Sequence, residues 1–124
     1  MLAHEFTHAL VRDLASRGVP TWLNEGLAAA LESDDLSSAE GRLRRAGRTM
    51  SLATLHASFG RLNGEDAALA YASSAVAVRR LIDEMGGFAI AILLRDLGEG
   101  ADFDSAFAHR MHRSFSEFVA SPGK

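Results

Sequence analysis

Apolar residues recur at three- and four-residue steps along most of the chain, and no stretch alternates apolar and polar residues long enough to predict a strand. Glycines and prolines divide this pattern into helical stretches. The predicted helices cover residues 1–17, 22–32, 37–47, 51–59, 65–85, 88–97 and 102–120, the last with a break at the capping-box residues Ser114 and Glu117. The sequence therefore predicts a mainly α fold of about six to seven helices.

Two of these stretches carry packing predictions of their own. Residues 88–97 are apolar nearly all round, which predicts a buried helix. The last stretch has large apolar residues at helical spacing, and such a stripe predicts core. These residues are Phe103, Phe107, Met111, Phe115 and Phe118. In the second predicted helix, Gly26 and a run of alanines indicate close approach to a neighbouring helix.

Composition places the chain among ordinary globular proteins. Its 124 residues fit one domain, and 48% of them are hydrophobic and 23% charged, with a net charge of −3. Four arginines lie close together, namely Arg42, Arg44, Arg45 and Arg48. Without interleaved aromatic residues they predict a solvated helix face and no nucleic-acid surface. No apolar run approaches the ~20 residues of a membrane span, and no secretory signal is visible, so the compartment stays undetermined.

Residues 4–8, HEFTH, form an HExxH pattern. Four helical residues turn through about 400°, so the imidazoles of His4 and His8 lie on one face and can share a metal ion. Glu5 lies beside that face, where its carboxylate can take a proton from a metal-bound water. The alternative is that both histidines lie on an ordinary helix face and that Glu5 is a surface acid.

A third ligand is needed, because a catalytic zinc ion usually has three protein ligands and one open position. The chain has no cysteine, so the ligand must be His, Asp or Glu. The spacing from His8 to Glu25 lets one helix end and the next return antiparallel, and Glu25 lies among leucines and alanines, where an unpartnered carboxylate would be costly. We therefore predict Glu25 as the third ligand of a Zn²⁺ ion. His109 and His112 lack an acidic partner at a convincing spacing and are not expected to bind metal.

The segment WLNEGLA at residues 22–28 resembles the second zinc-ligand segment of gluzincin metallopeptidases, particularly the aminopeptidase branch and the bacterial peptidase-MA-like domains. In those families the glutamate of this segment completes a His-His-Glu zinc site begun by HExxH. The resemblance implies that His4, His8 and Glu25 bind zinc. It also implies that Glu5 is the catalytic base, and that residues 1–124 form a single peptidase-MA-like helical domain.

The segment AYASS at residues 70–74 is more weakly similar to the following helix of peptidase-MA-like domains. In some relatives a tyrosine from a later helix donates a hydrogen bond to the oxyanion of the tetrahedral intermediate. Tyr71, the only tyrosine in the chain, would take that role, and core packing is the alternative. Ala29 departs from the pattern, because several gluzincins have a polar residue there that steadies a zinc-bound histidine. Asn24 is a candidate replacement.

The gluzincin fold normally has a β-sheet before the HExxH helix, and its edge strand holds the substrate. This chain starts at the helix, so we expect it to be the C-terminal helical part of a zincin-like fold, with its N-terminal β-rich region elsewhere in a longer protein. The implied function is zinc-dependent hydrolysis of a peptide or protein substrate. Two alternatives stay open, namely a zinc-stabilised helical binding module or pseudo-enzyme, and a helical interaction domain without metal.

Overall fold

The computed structural model of the protein describes residues 19–32, 37–48, 50, 52, 55 and 62–120. These residues are mainly helical and include no strand, which confirms the predicted fold class. Their six helices, numbered in chain order, are α1 (Thr21–Glu32), α2 (Ser37–Ala46), α3 (Gly64–Met85), α4 (Gly87–Gly98), α5 (Phe103–Met111) and α6 (Phe115–Ala120). The helix predicted over residues 1–17 lies outside the described residues, as does most of residues 51–59.

Side-chain caps and a glycine fix the ends of α3 and the start of α5. The Asn63 side chain accepts a hydrogen bond from the backbone N–H of Asp66 at 2.8 Å, and Gly86, with φ of 86°, follows the last residue of α3. At the start of α5, the Asp102 carboxylate accepts from the N–H of Ser105 at 3.1 Å. The bounds predicted for the long helix, residues 65–85, are confirmed to within one residue.

The break predicted at Ser114 is also present. Ser114 Oγ accepts from the N–H of Glu117 at 3.0 Å, and Glu117 Oε1 accepts from the N–H of Ser114 at 2.9 Å, so the two residues form a reciprocal capping box. Hydrogen bonding from the Ser114 backbone N–H, and then from its side chain, holds the pKa of the Glu117 carboxyl below its usual value. The aromatic-rich end of the chain is therefore two helices joined at a turn.

The predicted aromatic stripe is confirmed as core. Phe107, Met111 and Phe118 are buried, and Phe103 and Phe115 pack against them while half-buried. An ion pair joins the preceding helix to this region, because Arg110 Nε donates to Asp96 Oδ2 at 2.6 Å and Arg110 Nη2 to Oδ1 at 3.1 Å. These hydrogen bonds lower the pKa of the Asp96 carboxyl.

The prediction that residues 88–97 form a helix buried all round is wrong for one face of α4. Ile90, Leu93, Leu94 and Leu97 are buried, as predicted. Phe88 is 78% exposed, however, and Ala91 is exposed as well. Apolar residues are common on protein surfaces, so hydropathy alone does not distinguish a buried helix from a two-faced one. Among the helices that the structure describes, none has the length and apolar character needed to cross a membrane.

Candidate metal centre

The segment at residues 22–28 lies entirely within α1, and most of its side chains have a packing role. Trp22, Leu23, Leu27 and Ala28 are buried, and Gly26 is buried as well. Asn24 and Glu25 are the two residues of the segment that remain partly exposed. Packing therefore accounts for the tryptophan, leucines, glycine and alanine of this motif, but not for its amide and its carboxylate.

Gly26 marks the closest approach of α1 to α3. A β-carbon built at Gly26 would lie 2.4 Å from the carbonyl oxygen of Ser74 and 2.6 Å from Cγ2 of Val78. Only a residue without a side chain lets the two backbones come this close. The packing role predicted for Gly26 is confirmed, and the contact fixes the position of α1 one residue after Glu25.

The start of α1 is held by hydrogen bonds on both sides of Trp22. The Pro20 carbonyl accepts from the N–H groups of Leu23 and Asn24, each at 3.1 Å, so Pro20 directly precedes and closes the first turn of the helix. The N–H of Trp22 donates to the carbonyl of Leu55 at 3.1 Å, which ties the start of the helix to the segment before α3. Glu25 thus lies on a helix whose backbone is fixed just before and just after it.

The second matching segment, residues 70–74, lies on α3 and shows a similar division. Ala70, Ala72, Ser73 and Ser74 are buried. The Ser74 hydroxyl donates to the Ala70 carbonyl at 2.7 Å, and the Ser73 hydroxyl accepts from the N–H of Met50 at 3.0 Å, so both serines have structural partners. Tyr71 is 43% exposed, so it is not a core residue, contrary to one of the two roles considered for it.

The two segments meet at the contact between Gly26 and Ser74. Glu25 adjoins Gly26, and Tyr71 precedes Ser74 by three residues, or about one helical turn. Adding the backbone steps between them places the α-carbons of Glu25 and Tyr71 within about 15 Å of each other. Glu25, the one acid of the first segment, and Tyr71, the one exposed residue of the second, therefore flank the same helix crossing.

A family model described as the Peptidase MA superfamily matches residues 1–112, which is most of the chain. The chain belongs to the Peptidase MA superfamily. Residues 22–28 and residues 70–74, the segment with the weaker similarity to peptidase-MA-like domains, both lie within the matched region. No curated protein and no solved structure matches the chain. Membership makes this a peptidase-like domain.

Three of the predicted site residues of this Peptidase MA domain lie outside the described residues, namely His4, Glu5 and His8. Among the residues that the structure describes, no three His, Asp or Glu side chains are grouped closely enough to hold a metal. Glu25 provides a carboxylate, which is a ligand that zinc accepts, and HExxH adds two imidazoles in the sequence. This donor set fits a catalytic zinc site with one open position.

The other histidines and arginines singled out in the sequence, where the structure describes them, lie on α2 and α5 or just after them. His109 and His112 are exposed on and after α5. The arginine cluster is exposed along and just after α2, and Arg48 Nη2 pairs with Asp66 Oδ1 at 2.9 Å. Ala29, one turn after Glu25, brings no polar group to the site. The described residue nearest in sequence that could orient a ligand is Asn24, which is partly exposed.

Proposed function

We propose that this Peptidase MA domain is a zinc-dependent metallopeptidase of the gluzincin type. In the proposal His4, His8 and Glu25 bind the zinc ion, Glu5 is the general base and Tyr71 is the oxyanion donor. The observation that supports it most is the position of Glu25. It is a partly exposed carboxylate in a segment whose apolar residues are buried, on a helix fixed by the contacts of Trp22 and Gly26.

In this proposal zinc, when bound, supplies a Lewis acid that polarises the scissile carbonyl and lowers the pKa of a bound water. Glu5 takes the proton of the attacking water and passes it to the leaving amine. The Tyr71 hydroxyl donates a hydrogen bond to the oxygen that becomes negatively charged, and its exposure on α3 leaves it accessible to a substrate. The substrate is a peptide or protein chain, which we expect a β-rich region of the same protein to hold extended.

Glu25→Gln and Glu5→Gln separate metal binding from chemistry. We expect Glu25→Gln to weaken zinc binding more than about 100-fold, because loss of an outer-shell partner alone costs about 10–100-fold. Glu5→Gln should keep zinc and lose about 100- to 10,000-fold in peptide hydrolysis, since that is the usual contribution of a general base. Zinc affinity is measured by competition with a chromophoric chelator, and turnover with a fluorogenic peptide library.

Glu99→Gln is the matched control, because Glu99 is exposed just after α4 and its carboxylate makes a long ion pair with Arg95, 3.9 Å between Arg95 Nε and Glu99 Oε2. It should leave both zinc affinity and turnover unchanged. Wild-type zinc affinity in Glu25→Gln would refute the ligand assignment.

A non-catalytic zinc-binding module is the second candidate function. It is favoured by Ala29, which leaves the position one turn after Glu25 without a polar group to orient a ligand. This candidate predicts the same loss of zinc in Glu25→Gln, but no turnover that depends on Glu5 or Tyr71. Equal hydrolysis by wild type and Glu5→Gln, with zinc bound to both, would favour it over the peptidase.

A further inference from the structure

Residues 113–120 lie beyond the region that the family model matches, yet they contact the helix that carries Glu25. Phe115, the first residue of α6, stacks on Trp22 of α1 with ring centroids 5.6 Å apart and an interplanar angle of 14°. The same ring meets Phe103 edge-on at 5.4 Å and Phe107 at 5.5 Å. Phe103 of α5 also meets Trp22 edge-on, with ring centroids 6.3 Å apart. Phe115 is the ring that stacks face to face on Trp22 and so links α6 to α1.

Several independent contacts hold α6 in this position. The capping box of Ser114 and Glu117 fixes its first turn. Phe118 is buried, and the guanidinium groups of Arg80 and Arg113 lie 4.5 Å and 4.9 Å from its ring centroid. Both arginines also pair with one carboxylate on α3, that of Glu84. These contacts tie α6 to α3, so that α3 and α6 together fix the place of Phe115.

The stack reaches Glu25 through a single helical turn. Trp22 precedes Glu25 by three residues, and Gly26 follows it directly, so along α1 the residue Glu25 lies between the aromatic stack and the crossing with α3. A glutamate carboxylate extends about 6 Å from its helix axis, so a rotation of only 5° moves it by about 0.5 Å. A functional site tolerates errors of about that size. The rotational setting of α1 therefore sets where the Glu25 carboxylate lies.

We infer that Phe115 is a positioning residue for Glu25, and that α6 braces the helix that carries this ligand. The inference rests on the proposed function, because it concerns the ligand that the proposal assigns to zinc. Removal of the Phe115 ring opens space beside Trp22, lets α1 rotate about its contact with α3, and spoils the ligand geometry while the rest of the fold persists.

The test compares the zinc affinity of wild type with that of Phe115→Leu and Phe115→Tyr, by chelator competition on the full chain. We expect Phe115→Leu to bind zinc about 10- to 100-fold more weakly, the range seen when groups that orient metal ligands are lost. Phe115→Tyr keeps the stacking ring and should restore the wild-type affinity. Trp22, the only tryptophan, reports the change directly, and its emission should shift to longer wavelength in Phe115→Leu only.

A matched control separates positioning from general loss of stability. Ile90 is 2% exposed on α4 and belongs to the same core, so Ile90→Val and Ile90→Ala remove buried volume away from the Trp22 stack. Of these two variants, the one whose unfolding temperature matches that of Phe115→Leu is the control, and its zinc affinity should lie within about twofold of wild type. If the control loses as much affinity as Phe115→Leu, or if Phe115→Leu loses none, the positioning role is overturned.

The zinc affinity of Glu25→Gln distinguishes an error in the positioning role of Phe115 from an error in the proposed function. If wild type binds zinc and Glu25→Gln does not weaken it, the ligand assignment itself is wrong. If Glu25→Gln weakens zinc binding and Phe115→Leu does not, the ligand assignment stands and only the brace is refuted.

Discussion

Substitution of Gly26 by alanine tests the helix crossing on which the candidate site depends. The new methyl group would lie 2.4 Å from the Ser74 carbonyl oxygen, 2.6 Å from Val78 Cγ2 and 2.8 Å from the Ser74 carbonyl carbon. Two of these three atoms are backbone, so no change of rotamer relieves the contact. The helices α1 and α3 must move apart, which loosens the packing around Trp22 and Leu23.

Two opposing effects set the size of the change. Alanine is favoured over glycine inside a helix by about 1 kcal/mol, which would stabilise the variant. Overpacking a well-packed interior costs about 1–3 kcal/mol or more, and a backbone contact lies at the upper end of that range. We expect a net loss of about 1–3 kcal/mol in the free energy of unfolding. For a domain of this size that corresponds to a fall in Tm of about 3–12 °C.

Gly41→Ala is the same chemical change as Gly26→Ala, but we expect it to raise the free energy of unfolding. Gly41 is a buried glycine inside α2, and a β-carbon there would meet only the ends of two flexible side chains, Arg45 Nη1 at 3.3 Å and Arg44 Nη2 at 3.8 Å. These groups can move, so the helix preference of alanine dominates and Tm should rise by about 2–4 °C. Thermal unfolding by circular dichroism measures both variants. A Gly26→Ala protein that unfolds at or above the wild-type temperature would refute the close crossing.

Two further predictions concern stability. Hydrogen bonds from Arg110 to Asp96 and from Ser114 to Glu117 lower the pKa values of both carboxyls in the folded state. Their stabilisation is therefore complete above the unfolded pKa values of about 4 and is lost as pH falls through the lower folded values. Between about pH 5 and 2, the free energy of unfolding measured with urea should fall less with decreasing pH for Asp96→Asn and Glu117→Gln than for wild type. An equal dependence on pH in wild type and variants would contradict the lowered pKa values. His112 has a left-handed backbone, with φ of 59°, so His112→Gly should raise Tm by about 2–4 °C, and a lower Tm would count against that conformation.

Helix positions could be predicted from the sequence because local chemistry determines them. The residues that cap or end these helices lie within a few positions of the helix ends, so the sequence alone indicates where the helices begin and end. These residues are Asn63, Gly86, Asp102 and the Ser114–Glu117 pair. The aromatic stripe near the C-terminus could also be predicted, since its helical spacing places large apolar side chains on one face of the helix.

Contacts between distant segments could not be predicted in the same way. Phe115 stacks on Trp22 although the two residues are far apart in the sequence, so local sequence patterns do not predict the contact. The sequence indicated only that both are large aromatic residues in apolar surroundings. The exposure of Phe88 depends on which side of α4 other helices cover, which hydropathy does not encode. Likewise, the sequence offered core and catalytic roles for Tyr71, and its exposure is a tertiary property.

Glu25 and Gly26 are neighbours with separable roles, and this separation explains why the motif contains both. Gly26 brings α1 against α3, and the stack on Trp22 sets the rotation of α1 one turn earlier. Neither contact uses the carboxylate of Glu25, so Glu25 can serve chemistry without weakening the crossing. A zinc ligand needs its carboxylate held to within about 0.5 Å, and rigid backbone contacts on both sides are the means available to a helix. The packing residues of the segment are therefore as necessary to the proposed zinc site as the ligand itself.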